Sequence, residues 1–450
     1  MCIMHRHLSV MLFMEARYKL GERLLLTASH RKLTSSLCLT YFATLLVTPE
    51  SYKYVAALLA IIALFMLPIT WQTLKSRPAM LVSGSLLLYF LVTLVFALPS
   101  GHYTQLDMPS RTLLATLVFA LLLTYPPSLK SIFYGCSLGA SVVGVIALYQ
   151  HYVLDIRALS TNGYMSIQAA GMTASLSVFS IFAYVYSCQQ RLSILKAIAF
   201  LGVTLGFSAT LFSGGRGAWI ITPFVALWAA IYYRKTFSGR DYLAIVTSVA
   251  LIAAMTLVPA LNRAGLILSD MESYERVTNT TLATQPTSHQ EKEPVITQTP
   301  LISNSLGIRL ELWKAALLIA AEHPITGAGY SNTTEAKQRL VEQGDSDAII
   351  VSSSRAHNQF LEELQVKGLI GFGTLIFLLV TPWVVTRSIR DNQTNSIPFS
   401  VVLLRCHLIL IAGYMLTQHY INHHSGILFF SMGVVIFASI AIRGEESEIA

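Results

Sequence analysis

The chain is a succession of apolar runs separated by short polar breaks, and most runs are of about 16 to 22 residues, enough at 1.5 Å per helical residue to cross a hydrocarbon core of about 30 Å. The pattern predicts spans at about Leu33 to Thr48, Tyr54 to Ile69, Ala79 to Leu98, Arg111 to Tyr125 and Ser131 to Gln150. Further spans follow at about Ser166 to Tyr186, Ile194 to Phe212, Ala218 to Tyr233 and Tyr242 to Pro259. A polar stretch from Ala260 to Val366 interrupts the series, which resumes near Gly368 to Val385, Pro398 to Gln418 and Gly426 to Ile442. The expected fold is all-α and polytopic, with about twelve transmembrane helices and a large loop between the ninth and tenth.

The domain plan is a tail at 1–32, nine spans at 33–259, the loop at 260–366, three spans at 367–442 and a tail at 443–450. Inside the loop, Asn279 to Asn304 is rich in Thr, Gln, Pro and Ser and reads as a flexible insertion. Helical periodicity returns at Ile308, with Leu310, Trp313, Ala316, Leu317 and Ile319 on an amphipathic helix closed by Pro324 and the turn at Gly327 and Gly329. A second helix, Arg355 to Val366, is expected to put His357, Phe360, Leu361 and Leu364 on one face.

Composition agrees with a lipid solvent. Of 450 residues, 54% are hydrophobic and only 12% charged, which excludes an ordinary soluble domain. The net charge of +8 is no nucleic-acid signal, because the basic residues sit in short clusters between apolar runs. Alternate loops carry Lys75 and Arg77, Lys130, Arg191 and Lys196, Arg234, Lys235 and Arg240, then Arg387 and Arg390. Short loops rich in Lys and Arg stay in the cytoplasm, so both termini are expected there and the long loop outside. None of the five cysteines falls in that loop, which argues against structural disulfides on an oxidising side and against a cysteine nucleophile there.

Three basic residues on the outer side adjoin apolar or glycine-rich sequence. Arg216 lies in Ser213-Gly214-Gly215-Arg216-Gly217-Ala218-Trp219, where Gly215 and Gly217 would let a phosphate approach the backbone and a guanidinium fork would grip two of its oxygens. The plainer alternative is an interfacial arginine snorkelling to lipid headgroups. Arg309 begins the amphipathic helix, and its alternative is an ordinary surface residue. His357, followed by Asn358, precedes the return to the membrane, and a neutral imidazole can take a proton from a sugar hydroxyl; the competing reading is a hydrogen-bonded structural histidine. His419, His423 and His424 raise a metal site, but no Cys or carboxylate joins them and no metal is expected. Arg405 and His407 lie within the eleventh span with no acidic partner in the sequence around them, and Arg405 reads as a packing or lipid-phosphate residue. Walker, GxSxG and HExxH motifs are absent from the outer segments.

These residues resemble the O-antigen ligases of Gram-negative bacteria, within the wider group that includes O-antigen polymerases and O-linked oligosaccharyltransferases. His357-Asn358, nine residues, then Gly368-Leu369-Ile370-Gly371 is similar to the ligases' histidine motif. Ser213 to Trp219 looks like their Arg-Gly turn, and Ile308-Arg309-Leu310-Glu311-Leu312-Trp313 like their second arginine helix. The resemblance implies an inner-membrane, GT-C-like transferase that moves O-antigen from undecaprenyl diphosphate to lipid A-core oligosaccharide on the periplasmic side, without ATP, metal or other cofactor. It further implies His357, Arg216 and Arg309 as catalytic residues and Gly215, Gly217, Trp313, Asn358, Gly368 and Gly371 as substrate-binding residues. A polymerase shares the same donor chemistry. A lipid-linked oligosaccharide flippase is the competing class, and it would be expected to show related halves and a polar central cavity.

Overall fold

The computed structural model describes residues 27–161, 163–283, 301–353, 355–390 and 396–444. Among these the secondary structure is helical. Helix α1 covers 27–44, followed by α2 (Ser51–Thr70), α3 (Arg77–Ser100), α4 (Ser110–Thr124), α5 (Leu129–Tyr152), α6 (Ser166–Gln190), α7 (Ser193–Phe212), α8 (Arg216–Tyr232) and α9 (Gly239–Ala283). The chain continues as α10 (Ser305–Glu322), α11 (Gly329–Gln343), α12 (Ile349–Ser352), α13 (Gln359–Val385), α14 (Phe399–Met415) and α15 (His424–Arg443). Among the described residues, nine candidate spans are long and apolar enough to cross a membrane, and α8 and α14 are shorter apolar helices. The protein is thus a polytopic helical membrane protein.

Helices α6 and α15 form the centre, buried on nearly every face, while α2 and the first half of α9 are the most exposed. The exposed side of α2 carries Leu58, Ile61, Leu64 and Phe65, and that of α9 carries Leu243, Val246 and Val249. Such a surface suits lipid and not water. Helix α6 can sit at the centre because it is lined with small residues. Its hydroxyls are satisfied within the helix, Thr173 donating to the Ala169 carbonyl at 2.8 Å, Ser177 to Thr173 at 2.8 Å and Ser180 to Leu176 at 2.8 Å, so none needs a partner from the apolar surroundings.

The region between α9 and α13 has its own apolar core of Leu312, Ala315, Ile319, Ala336, Leu340, Val341 and Ile350, joining α10, α11 and α12. The apolar part of α9, Gly239–Val258, ends where the ninth span is expected to end, and the helix itself runs on to Ala283, 45 residues in all; the sequence after Pro259 loses its apolar run without losing helical propensity, so hydropathy ends before the helix does. Two expectations are corrected here. Asn279 to Ala283, expected to begin a flexible insertion, are helical, and the rest of that insertion up to residue 300 lies outside the described residues. The expected helix Arg355 to Val366 instead starts at Gln359, leaving His357 outside it with φ of 52°. Asn358 is the reason: its Oδ1 accepts from the amides of Phe360 (2.9 Å) and Leu361 (3.2 Å), capping the helix at that point.

Helix α13 is broken internally at Gly368, with φ 58° and ψ −154°. The segment between α10 and α11 occupies the break. The amides of Leu369 and Ile370 donate to the carbonyls of Pro324 (2.8 Å) and Ile325 (3.3 Å), and Ala328 N donates to the Gln365 carbonyl at 2.8 Å. A Cβ at Gly368 would lie 2.4 Å from the Ile325 carbonyl oxygen. This joint locks the end of α10 onto α13.

Candidate functional site

Arg216 is the first residue of α8, presented by the Ser213–Gly215 turn in which Gly214 has φ of 63°. Gly215 and Gly217 flank it as packing contacts, since a Cβ at Gly215 would meet Ala170 Cβ at 2.5 Å and one at Gly217 would meet Thr417 Oγ1 at 2.1 Å. Both therefore seat the turn against α6 and the end of α14. Arg157 braces the turn from outside, its Nε donating to the Ser213 carbonyl at 2.5 Å. Arg216 Nη1 lies 3.7 Å from Asp270 Oδ2, a contact that exists only because α9 extends beyond the expected span.

Arg309 stands in the first turns of α10, whose N-cap is Asn304, with Oδ1 accepting from Gly307 N at 2.6 Å. Helix α10 is pinned to the α9 extension by Tyr274, whose hydroxyl donates to Glu311 Oε1 at 3.0 Å, and to the later loop by Asp347 N, which donates to Glu311 Oε2 at 3.3 Å. The Arg309 guanidinium has its pKa lowered by burial and then by the positive charge of Arg216. Trp313, one turn on, is half-buried, and its Nε1 is enclosed with no hydrogen-bond partner among the described residues.

His357 and Asn358 are tied to the end of α14. Asn358 Nδ2 donates to the Leu416 carbonyl at 2.9 Å, while His357 Nδ1 lies 2.9 Å from Gln418 Oε1. An amide oxygen can only accept, so Nδ1 carries the proton and Nε2 keeps the free lone pair. Burial lowers the His357 pKa first; Gln418 opposes that shift, and the charges of Arg309, Lys337 and Arg355 add to it. The ring centroid of His419 is 5.1 Å from that of His357. His419 and His423 touch through their Nε2 atoms at 3.1 Å, and burial brings them down to about 2 and about 4, so both are neutral. His424 turns away to Arg111 Nη2 at 3.0 Å and Asp107 Oδ2 at 3.5 Å, so the three neighbouring histidines do not converge.

Gly371 and Gly368, on α13, face packed structure. A Cβ at Gly371 would meet Lys367 Cβ at 2.4 Å. Lys367 and Glu363 form a buried ion pair at 2.5 Å, with side chains 4% and 2% exposed, and Tyr89 Oη donates to Glu363 Oε1 at 3.0 Å. Sequence reasoning missed this pair, together with Asp270, Gln418 and the buried Lys337; the i, i+4 spacing of Glu363 and Lys367 was its only local signal. Arg405 packs over Trp383 at 5.1 Å and reaches the Thr386 and Arg387 carbonyls at 3.4 Å, a cap on the end of α13.

Arg216, Arg309, His357, Gly368 and Gly371 all fall within one stretch recognised by comparison with known proteins. Residues 200–376 match the O-antigen ligase family. The resemblance drawn from the motifs is thereby borne out. An O-antigen ligase of Escherichia coli K12 is 23% identical over 271 residues, 58% of this chain and 58% of that protein. A Haemophilus influenzae Rd protein described only as uncharacterized is 25% identical over 401 residues, 88% of this chain and 95% of that protein. The family points to an O-antigen ligase or polymerase type of function.

Proposed function

We propose that this protein is an O-antigen ligase that transfers glycan from undecaprenyl diphosphate to lipid A-core oligosaccharide at the outer face of the bacterial inner membrane. The observation that carries the reading is the neutral His357, held with Nε2 free by Gln418, beside the charge of Arg309, which in turn feels Arg216. In this reading twelve helices cross the membrane: the nine long candidates, α8, α14 and the helix at 27–44. Both termini are cytoplasmic and the region from the end of α9 to α13 is periplasmic, as the distribution of Lys and Arg requires.

The reaction is a single displacement with inversion. An acceptor hydroxyl oxygen attacks the anomeric carbon and His357 Nε2 takes its proton, while the bond from that carbon to the diphosphate oxygen breaks and its electron pair leaves with the diphosphate. Negative charge on the leaving group grows along this path, so guanidinium groups beside it favour the transition state over the ground state. Arg216 and Arg309 fill that role. Asp270 holds Arg216 until the diphosphate arrives. Asn358 positions His357 by clipping it to α14, and Gly368 positions Arg309 by clipping α10 to α13. The energy is stored in the diphosphate linkage, so neither ATP nor metal is required.

Lipopolysaccharide from a deletion strain tests the assignment. Ligase loss leaves core without polymer while lipid-linked polymer accumulates; core bearing one repeat unit would instead identify a polymerase.

A further inference from the structure

A polar cavity of about 170 Å³ lies between α11, α13 and the segment preceding α13. Its wall includes Tyr330, Thr333, Arg355, Glu362, Glu363 and Lys367, and it contains neither Arg216, Arg309 nor Trp313. The charges in this wall are accounted for with one exception. Lys367 is matched by Glu363 at 2.5 Å. Glu362 Oε2 accepts from Ala356 N at 2.7 Å and from Gln365 Nε2 at 2.9 Å, both within its own segment. Behind the wall, Lys337 Nζ donates to the Ser353 carbonyl at 2.7 Å. The half-buried guanidinium of Arg355 makes no ion pair or hydrogen bond at contact distance among the described residues, although its charge acts on the Glu362 carboxylate in the same wall.

We propose that this cavity is an acceptor subsite in which Arg355 binds an anionic substituent, a phosphate monoester, on the saccharide that presents its hydroxyl to His357. A guanidinium whose donors are left without acceptors is open to a ligand that completes them, and its planar fork fits phosphate oxygens in pairs. The hydroxyls of Tyr330 and Thr333 supply the neutral hydrogen bonding that a sugar ring requires. His357 does not line the cavity, but the charge of Arg355 acts on its imidazole, which puts a saccharide held by Arg355 next to the base. The inference rests on the transferase reading and adds to it a residue that selects the acceptor.

The test is initial-rate kinetics with purified full-length protein, comparing wild type, Arg355→Gln and Arg355→Lys on phosphorylated and enzymatically dephosphorylated acceptor. Arg355→Gln should raise the acceptor KM about tenfold, the scale of one lost charge-assisted contact, and leave donor KM and kcat unchanged. Arg355→Lys should recover part of the loss, and the dephosphorylated acceptor should not distinguish the variants. An equal loss on both acceptors, or a change in donor KM, overturns the subsite. If the wild type transfers nothing, the transferase reading fails separately, and calorimetric titration with the phosphorylated acceptor then decides the subsite. Binding that Arg355→Gln weakens by the same factor supports it, and absence of wild-type binding overturns it.

Discussion

His357 Nδ1 lies 2.9 Å from Gln418 Oε1, across 61 residues of sequence, and this contact selects the imidazole tautomer whose Nε2 can act as a base. The partner orients the ring as well as fixing its proton. Gln418→Ala should lower kcat by roughly one to two orders of magnitude, in the range of a lost positioning contact to a general base. Since Gln418 opposes the depression of the His357 pKa, its removal should also move the acidic limb of the rate profile to lower pH. An unchanged kcat and limb would mean that Gln418 does not set the tautomer.

Arg216→Ala and Arg309→Ala should each slow transfer about a hundredfold at equal membrane abundance, corresponding to roughly 3 kcal/mol of transition-state stabilisation. Lysine at either position should restore only part, because it lacks the bidentate fork. EDTA should leave the purified enzyme active. Wild-type rates in an alanine variant would return that arginine to headgroup binding, and a strict divalent-metal requirement would sink the guanidinium mechanism.

Gly368→Ala should lower thermal stability without a direct effect on chemistry. The backbone region it occupies costs a residue bearing a Cβ about 1–3 kcal/mol, and the contact with the Ile325 carbonyl oxygen adds to that. The expected result is a lower Tm by fluorescence-detected melting and reduced membrane abundance. An unshifted Tm would show that the α10–α13 joint tolerates rearrangement.

A reporter active only in the periplasm should work when fused after Ser288 and be silent after Arg443. The reverse pattern would overturn the orientation and with it the outward-facing site.

The helices that cross the membrane were legible because a long apolar run has few alternatives in lipid. Less legible were helices whose apolar stripe is narrow or absent, such as α11 and the second half of α9, which fold by packing on α10 and not by partitioning into lipid. The position of His357 was misread because Phe360, Leu361 and Leu364 continue a helical pattern backwards through it. Asn358 carried the missing signal, an Asn just ahead of the run with Glu362 in the first turn. Arg216, Arg309 and His357 stood out in short motifs, whereas Asp270 and Gln418 acquire their roles from contacts distant in sequence, which no local spacing encodes.

The most direct test of the whole account is transfer in detergent with purified protein, lipid-linked glycan and lipid A-core acceptor, following the covalent product from about pH 5 to 8.5 for wild type, His357→Gln and His357→Ala. A His357 pKa lowered by burial keeps the imidazole neutral to below its ordinary value of about 6.5, so the wild-type rate should be flat above neutrality and fall only on the acid side of that value. Both variants should form no product while remaining folded. Retention of most activity by His357→Gln, with an unchanged pH profile, would contradict the base mechanism, and absence of any product from the wild type would contradict the transferase itself.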